Sequence, residues 1–220
     1  MIAMPLLKVK GIIDSLIEYV KEDIEACVDE GREEESFLYL IFSESETDGY
    51  NFYNQAKNVF LRTNEDRNRI TTGLAYPKNM ANAPYVWIRE PQRSVGKTNT
   101  IGKLSGGFYE MTDGSFKDEY RDSKSASYEV VVMSTNYLES IMISDVLYSL
   151  LVSSYELFTT LFNFFEVNMK ELMMNNDQIP PYMLLSRALA LDIDFDNYIP
   201  AISNEKLLNK VVFNGIIKAK

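Results

Sequence analysis

The fold is decided between residues 82 and 135, where NAPYVWIREPQ (82–92) is followed by RSVGKTNTIGKLSGG (93–107) and later by SYEVVVMST (127–135). Bulky and β-branched side chains favour strands, so the first and third segments each predict one. Proline cannot donate to a strand ladder, and Pro91 is expected to end the first strand. The middle segment has four glycines, three bases and no acid, which predicts a protruding loop at 93–107.

The segment between that loop and the third strand predicts a β-hairpin. In GFYEMTDGSFKDEYR (107–121), Asp113-Gly114 stands between two arms that carry aromatic residues. Asp-Gly is a preferred two-residue hairpin turn because both residues tolerate positive φ.

A long apolar helix is predicted directly after residue 135. Asn136 is a suitable N-cap, and Glu139, three residues later, completes a capping-box pattern. Apolar residues then recur at helical spacing as far as Phe165. The Met-rich MKELMM (169–174) is expected to continue or restart this helix, until NNDQIPP breaks it.

The N-terminal half predicts one helix and one strand. Apolar residues recur every three or four positions across residues 6–28, which indicates an amphipathic helix. The continuous apolar run FLYLIFS (37–43) predicts a buried strand. Residues 44–82 predict an irregular insertion, with a strand or short helix near 55–62.

The C-terminal part predicts two further strands. In LALDIDFDNYI (189–199), apolar residues alternate with Asp192, Asp194 and Asp196, so we expect these aspartates to form an acidic, solvent-facing side of a half-buried strand. VVFNGII (211–217) predicts a last strand.

Together these elements predict a single α+β domain over residues 1–220. Its mixed or antiparallel sheet packs against an N-terminal helix and a long central helix, and carries an extended loop or hairpin.

The composition argues against most enzyme classes. The chain has no histidine, which removes the commonest general base and metal ligand, and its one cysteine, Cys27, has no partner for a disulfide. Cys27 is expected to be a small core residue rather than a nucleophile. We predict no catalytic, cofactor-binding or metal-binding residues. The formal charge of −10 disfavours sequence-reading DNA binding.

Two segments resemble a P-loop and a calcium-binding loop but do not have the residues that these motifs require at fixed positions. GKTNTIGK (96–103) lacks the glycine spacing and the Ser or Thr of a P-loop. The three aspartates lack the glycine and glutamate that a calcium loop needs at its sixth and twelfth positions.

The apolar stretch 141–165 contains Asp145 and Glu156, so we expect a core helix rather than a membrane span.

The order of these elements resembles the tail-terminator and neck (head–tail connector) family of tailed bacteriophages. The similarity runs from a first helix to a strand ending near Pro91, then through the Asn-x-Ile-Gly stretch 99–102 to a strand ending at Ser134 and a helix starting near Asn136. It covers most of residues 4–217 and depends on patterns of small and apolar residues.

The resemblance implies a structural, non-enzymatic virion protein. It would form a homo-oligomeric ring, a hexamer or dodecamer, in the neck or tail, and it would contact other neck, tail or portal-adaptor proteins. DNA would pass through the lumen without sequence-specific binding, no membrane would be involved, and assembly would occur in the host bacterial cytoplasm. The sheet edge or the 93–107 loop is expected to reach a neighbouring subunit, and the loop residues concerned are Arg93, Val95, Lys97, Asn99, Ile101 and Lys103.

Two other functions stay open. One is a stand-alone α+β module that binds a small molecule or a peptide, and the other is a hydrolase that uses carboxylates. A ring protein is expected to assemble and to lack a deep polar cleft, whereas a binding module is expected to have a concave site.

Overall fold

A central strand of 19 residues organises the sheet in this computed structural model. The structure describes residues 5–45, 51–63, 66, 68–77, 83–95, 105–110, 116–162, 164–171 and 185–200. Within these residues six strands form one mixed sheet, and helices pack against one of its faces. The fold class is α+β, as predicted.

The helices and strands alternate in blocks along the chain. The helices are α1 (Pro5–Asp29), α2 (Phe37–Phe42), α3 (Phe52–Phe60), α4 (Tyr137–Ser153) and α5 (Tyr155–Leu161). The strands are β1 (Thr71–Gly73), β2 (Tyr85–Val95), β3 (Ser105–Glu110), β4 (Phe116–Ser134), β5 (Phe164–Glu171) and β6 (Leu185–Pro200).

The sheet order is β1-β2-β4-β6-β5, and β3 pairs with β4 beyond the end of β2. Only β1 and β2 are parallel among the paired strands described. β2 and β3 therefore lie end to end along the same edge of β4. The antiparallel pairing of β3 with β4 confirms the predicted hairpin, whose Asp113-Gly114 turn lies outside the described residues.

The core lies between the helices and one face of the sheet. Alternate residues of β4, from Ala126 to Val132, and of β6, from Leu189 to Phe195, point into it. α4 contacts β4, β5 and β6, while α1 contacts β1 and β2. Backbone pairing of β4 continues past these core residues as far as Phe116, and a strand of this length spans about 60 Å.

The predicted strand at 37–43 is wrong, because Phe37–Phe42 is the helix α2. Ser36 caps it by accepting a hydrogen bond from the Tyr39 amide at 3.3 Å. Leu38 and Phe42 are four positions apart, so a helix brings both to the core. A continuous apolar run of this length has no periodicity to distinguish the two structures.

The predicted insertion at 44–82 contains regular structure. Helix α3 and strand β1 lie within it, and α3 confirms the short helix expected near 55–62. The N-cap of α3 is Asn51, whose side chain accepts from the Asn54 amide at 2.7 Å.

The predicted end of the strand at Pro91 is wrong, and both ends of the predicted loop at 93–107 are strand residues. β2 continues past Pro91, with a register shift between Arg89 and Gln92, as far as Val95, and β3 begins at Ser105. Pairing with the long β4 outweighs the local glycine content. The bulge accommodates the missing N–H of proline. Residues 96–104 lie outside the described part of the chain.

The central helix begins where predicted and ends sooner. The Asn136 side chain accepts from the Leu138 amide at 3.0 Å, which confirms the N-cap. The helical axis bends by 62° between α4 and α5, and residues from Phe164 form β5 instead of extending the helix. Phe165 and Met169 are therefore strand residues. The predicted last strand at 211–217 lies outside the described residues.

In the described part of the chain, no single helix has both the length and the hydropathy needed to cross a bilayer. Only the bent pair of α4 and α5 meets those two criteria when taken together.

Candidate functional site

The sheet face opposite the helices carries a ladder of serines and aspartates. Three cross-strand pairs between β4 and β6 form it, and we call it the Ser–Asp ladder: Ser123 with Asp196, Ser125 with Asp194 and Ser127 with Asp192. Residues paired directly in an antiparallel sheet share a face, so all six side chains are on the same side. The pattern read from the sequence therefore placed the three aspartates on one face correctly.

The prediction that all three aspartates face solvent is wrong for Asp194. It is fully buried, while Asp192 and Asp196 are partly buried. Asp194 lies in β6 between Phe164 of β5 and Ser125 of β4, and these neighbours cover it. The alternation of residues along β6 does not show which strands lie on either side, so this burial was not predictable. Asp192 accepts a hydrogen bond from the Ser127 hydroxyl at 2.5 Å.

The ladder continues into further acidic residues on the same face. Glu166 of β5 lies opposite Asp192, and such like-charged neighbours repel each other. Glu129 of β4 lies on this face and accepts from Arg89 Nε at 2.6 Å, so that pair is neutral. The net charge of the ladder and its neighbours is negative.

Towards β1 the same face becomes apolar and aromatic. Val131, Met133 and Ala188 are buried under Tyr85 and Trp87. The Trp87 indole N–H donates to the Leu74 carbonyl oxygen at 3.2 Å, and the Arg89 guanidinium lies 4.8 Å from the Trp87 ring. These contacts fix the aromatic patch to the segment that follows β1.

Two of the predicted interface residues lie in β2. Arg93 bonds to both carboxylate oxygens of Glu90, at 2.5 and 2.9 Å, and its guanidinium lies 5.6 Å from the Phe195 ring. The hydrogen bond from Arg93 to Glu90 raises the pKa of Arg93. Val95 pairs with Lys124 of β4. The other four predicted interface residues, Lys97, Asn99, Ile101 and Lys103, lie outside the described residues. The structure therefore places only Arg93 and Val95 of the six, both in β2.

Exposed apolar side chains among the described residues include one set near β5 and another on α1, on α2 and after β1, and Val28 and Tyr137 are exposed as well. At the β5 end, Val152, Tyr155, Leu157 and Met169 are 40–53% exposed. The other set is on α1, on α2 and after β1, and comprises Leu7, Tyr19, Leu40, Leu74 and Tyr76, with exposures of 36–67%. Sequence periodicity does not predict either set, because each combines residues from several elements.

A cavity of about 360 Å³ lies between α1, the end of α3 and the start of β1. Its lining is Ile17, Glu18, Lys21, Phe60, Arg62, Arg69, Ile70, Thr71 and Thr72. Arg62 donates from Nη1 to the Asn68 carbonyl oxygen at 2.7 Å and to Glu139 Oε1 at 2.8 Å. The sequence analysis missed this site, since its cations are far apart in the chain and match no motif.

No group suited to metal binding or thiol catalysis is found in the part of the chain that the structure describes. Those residues hold no cluster of three or more Cys, Asp or Glu side chains that fits a metal ion. Cys27 is partly exposed rather than a core residue. Desolvation, with a contribution from Asp23, raises the pKa of Cys27 and so disfavours the reactive thiolate.

No protein-family model matches this sequence, and no curated protein matches it significantly. We therefore infer function from the fold and its surfaces.

Proposed function

We propose that this chain is a structural subunit of a ring in the neck or tail of a tailed bacteriophage, a tail terminator or head–tail connector. DNA would pass through the lumen without sequence-specific binding. The virion would be its location, after assembly in the bacterial cytoplasm, and its partners would be copies of itself and other neck, tail or portal-adaptor proteins.

The observation that carries the proposal is the length of β4. Its backbone pairing with β3 and β6 continues beyond Ala126 and Phe195 as far as Phe116 and Pro200. A long extension of paired strands is suited to contacting another subunit. Its base includes Arg93 and Val95, two of the residues that the sequence pointed to for the interface.

The two sets of exposed apolar residues fit ring closure. Subunits of a cyclic ring contact each other head to tail, so one subunit must present two different complementary surfaces. Met169 lies in β5 and Leu74 follows β1, and these two strands are at opposite ends of the sheet order.

The Ser–Asp ladder fits the proposed passage of DNA. A negative surface repels phosphates, and this prevents the tight local binding that would stop DNA from moving. In the proposed ring of six or twelve copies, this face lines the lumen.

The first test measures assembly with a matched pair of variants on α5. The mass of the purified protein is measured by light scattering over a range of concentrations, and particles are imaged by electron microscopy. Leu157→Asp changes an exposed apolar residue, and Thr159→Asp adds the same charge to an exposed polar position of the same helix. We expect rings for the parent chain and for Thr159→Asp, and loss of assembly for Leu157→Asp. Equal assembly of both variants would remove α5 from the interface.

The second test concerns residues 96–104 and uses the strand register. Val95 pairs with Lys124, and Ser105 pairs with Arg121, so only Asp122 and Ser123 separate the two registers on β4. Replacing residues 96–104 by two threonines joins β2 to β3 without a change of register. We expect an unchanged thermal midpoint and loss of assembly onto the particle. Normal assembly would contradict the role proposed for Lys97, Asn99, Ile101 and Lys103.

The cavity lined by Lys21, Arg62 and Arg69 favours a second candidate function, a module that binds a small molecule or peptide on its own. A chain that stays monomeric at all concentrations, is absent from purified virions and binds a ligand in this cavity would support this function instead.

A further inference from the structure

Strand β5 lies at one end of the sheet order, and within the described ranges only β6 pairs with it. Its register with β6 is continuous from Phe164, which pairs with Asp194, to Glu171, which pairs with Arg187. The strand contains no proline. The N–H and C=O groups along its outer edge can therefore pair with another extended strand, as the edges of sheets commonly do.

The opposite edge of the sheet has two features that discourage such pairing. β1 covers β2 only from Tyr85 to Trp87, and beyond it the register of β2 with β4 shifts between Arg89 and Gln92, around Pro91. A bulge and a proline are common means of keeping an edge strand from pairing with another molecule. Because β5 has a regular register and no proline, it is the edge better suited to a partner strand.

β5 has exposed side chains on both faces of the sheet. Met169 is 40% exposed on the helix side, next to the partly buried Val167. Glu166 and Asn168 are exposed on the side of the Ser–Asp ladder, where the Asn168 amide donates to Glu166 Oε1 at 3.0 Å. Glu166 also lies opposite Asp192, and like charges placed in this way repel each other. A partner that suits β5 would cover Met169 and bring a cation to Glu166.

The sequence of β5 is complementary to itself in one antiparallel register. When two copies are centred on Asn168, Val167 of one copy lies opposite Met169 of the other, and Glu166 lies opposite Lys170. Each of these pairs occurs twice, and directly opposite residues share a face of the sheet. Centring the pair on Val167 instead leaves Glu166 opposite Asn168, and centring it on Glu166 places two glutamates opposite each other. The charges therefore favour the register about Asn168.

We propose that two copies of this chain form a dimer by antiparallel pairing of their β5 strands about a two-fold axis at Asn168. The two sheets would join into one, with both helical layers on one side and both Ser–Asp ladders on the other. Such a contact closes after two copies, whereas the proposed ring needs a head-to-tail contact that repeats. The inference therefore does not rest on the ring. One pair of strands buries little surface, so we expect a weak dimer with a Kd of about 10 µM.

The first test reverses charges on β5 and measures the mass of the full chain by sedimentation velocity over a range of concentrations. Glu166→Lys should weaken the dimer about tenfold, because it places two lysines opposite each other at both pairs. The subunit itself should stay folded, since the change also removes the repulsion from Asp192. The double variant Glu166→Lys/Lys170→Glu should restore the dimer. Thr160→Lys, at an exposed position of α5, is the control and should leave the dimer unchanged.

The second test uses the two-fold axis, because residue 168 would lie opposite its own copy. Directly opposite residues of an antiparallel pair have Cα atoms about 4.5–5.5 Å apart, a separation that a disulfide can span. In a Cys27→Ala background, Asn168→Cys should therefore form a disulfide-linked dimer under mild oxidation. Thr160→Cys in the same background is the control for exposed thiols and should remain monomeric.

Three results would overturn the proposal. The first is a chain that stays monomeric at millimolar concentration, and protection of the β5 amides from hydrogen exchange in that monomer would show that another segment of the same chain covers the edge. The second is a dimer that Glu166→Lys does not weaken. The third is equal disulfide formation at positions 160 and 168, which would indicate random collision of thiols.

The failure of the dimer and the failure of the ring are distinguishable. A dimer that depends on Glu166 but never assembles further would support the pairing of β5 and contradict the ring. Rings that form equally well with Glu166→Lys, from a parent chain that shows no dimer, would do the reverse. Leu157→Asp tests the ring contact on α5 separately, because Leu157 lies outside β5.

Discussion

Arg62 and Glu139 are joined by a 2.8 Å hydrogen bond across 77 positions of the sequence. Glu139 is 8% exposed and also accepts from the Ser134 hydroxyl, while the Asn136 amide donates to that hydroxyl at 3.1 Å. The carboxylate therefore connects the end of α3 to the junction of β4 and α4. In the predicted capping box it would have bonded to the Asn136 amide instead, so that part of the prediction is wrong.

Arg62→Met should reduce the free energy of unfolding by about 2 kcal/mol, because it leaves the Glu139 carboxylate nearly buried without its cation. The value is below that of a fully buried pair since the Arg62 side chain is 27% exposed. Urea unfolding measures the change. Adding Glu139→Gln to Arg62→Met removes the unpaired charge and should recover part of the loss. A cost below about 0.5 kcal/mol for the single variant would show that water replaces Arg62.

Gly73→Ala should destabilise the fold by about 1–3 kcal/mol through overpacking. A Cβ at this position would lie 1.9 Å from Tyr85 Oη and 2.9 Å from Cζ, and the Tyr85 hydroxyl is held by a 2.9 Å hydrogen bond to the Ala75 carbonyl oxygen. In the double variant Gly73→Ala/Tyr85→Leu, most of the lost stability should be recovered, because the clashing phenol is absent. Gly11→Ala is the matched control, because nothing lies within 4 Å of its Cβ and it is an exposed helical position. Gly11→Ala should raise the free energy of unfolding by about 0.5–1 kcal/mol.

The part of β4 from Ser127 to Ser134 and the start of α4 were predictable because their signals are local. The β-branched run of Val130, Val131 and Val132 favours a strand wherever it packs, and Asn136 supplies its own capping bond. Whether Phe37–Phe42 forms a helix or a strand was not predictable, because it depends on which residues the rest of the fold buries. Phe165 illustrates the same limit, since its spacing fits a helix but its ring stacks on Phe158 at 4.1 Å from strand β5.

The candidate sites were predictable only to the extent that they lie within one strand. Alternation placed Asp192, Asp194 and Asp196 on one face, but the burial of Asp194 comes from neighbouring strands. The cavity between α1, the end of α3 and the start of β1 combines Lys21 with Arg69, which are brought together by the packing of α1 beside β1. No spacing rule connects such positions before the fold is known.

Stability should fall as the pH rises from 10 towards 12, and Tyr53 should account for part of the loss. Burial, with a hydrogen bond to Glu33, raises the pKa of Tyr53 from 10.0 to about 12. Burial also raises the pKa of Tyr128. The native state then keeps protons that the unfolded chain releases, so this contribution is complete below pH 10 and is lost above it.

The measurement is the urea midpoint between pH 9 and pH 12 for three Tyr→Phe variants. Tyr53→Phe and Tyr128→Phe should each flatten the alkaline decline. Tyr155→Phe is the control, because Tyr155 is 53% exposed, and it should follow the parent curve. Parallel curves for all three variants would show that neither buried phenol is responsible for the decline.

Phe158→Ala should cost about 3–5 kcal/mol, whereas Leu157→Ala, its neighbour in sequence, should cost less than about 0.5 kcal/mol. Phe158 is fully buried and stacks on both Phe162, at 6.2 Å, and Phe165, so its removal leaves a cavity between α5 and β5. Leu157 is 47% exposed and leaves no cavity. Denaturant unfolding of the two variants, at a dilution at which the chain is monomeric, measures both losses of stability. Comparable losses would mean that Leu157 already packs within the subunit, and α5 would then not be available as a surface for a neighbouring copy.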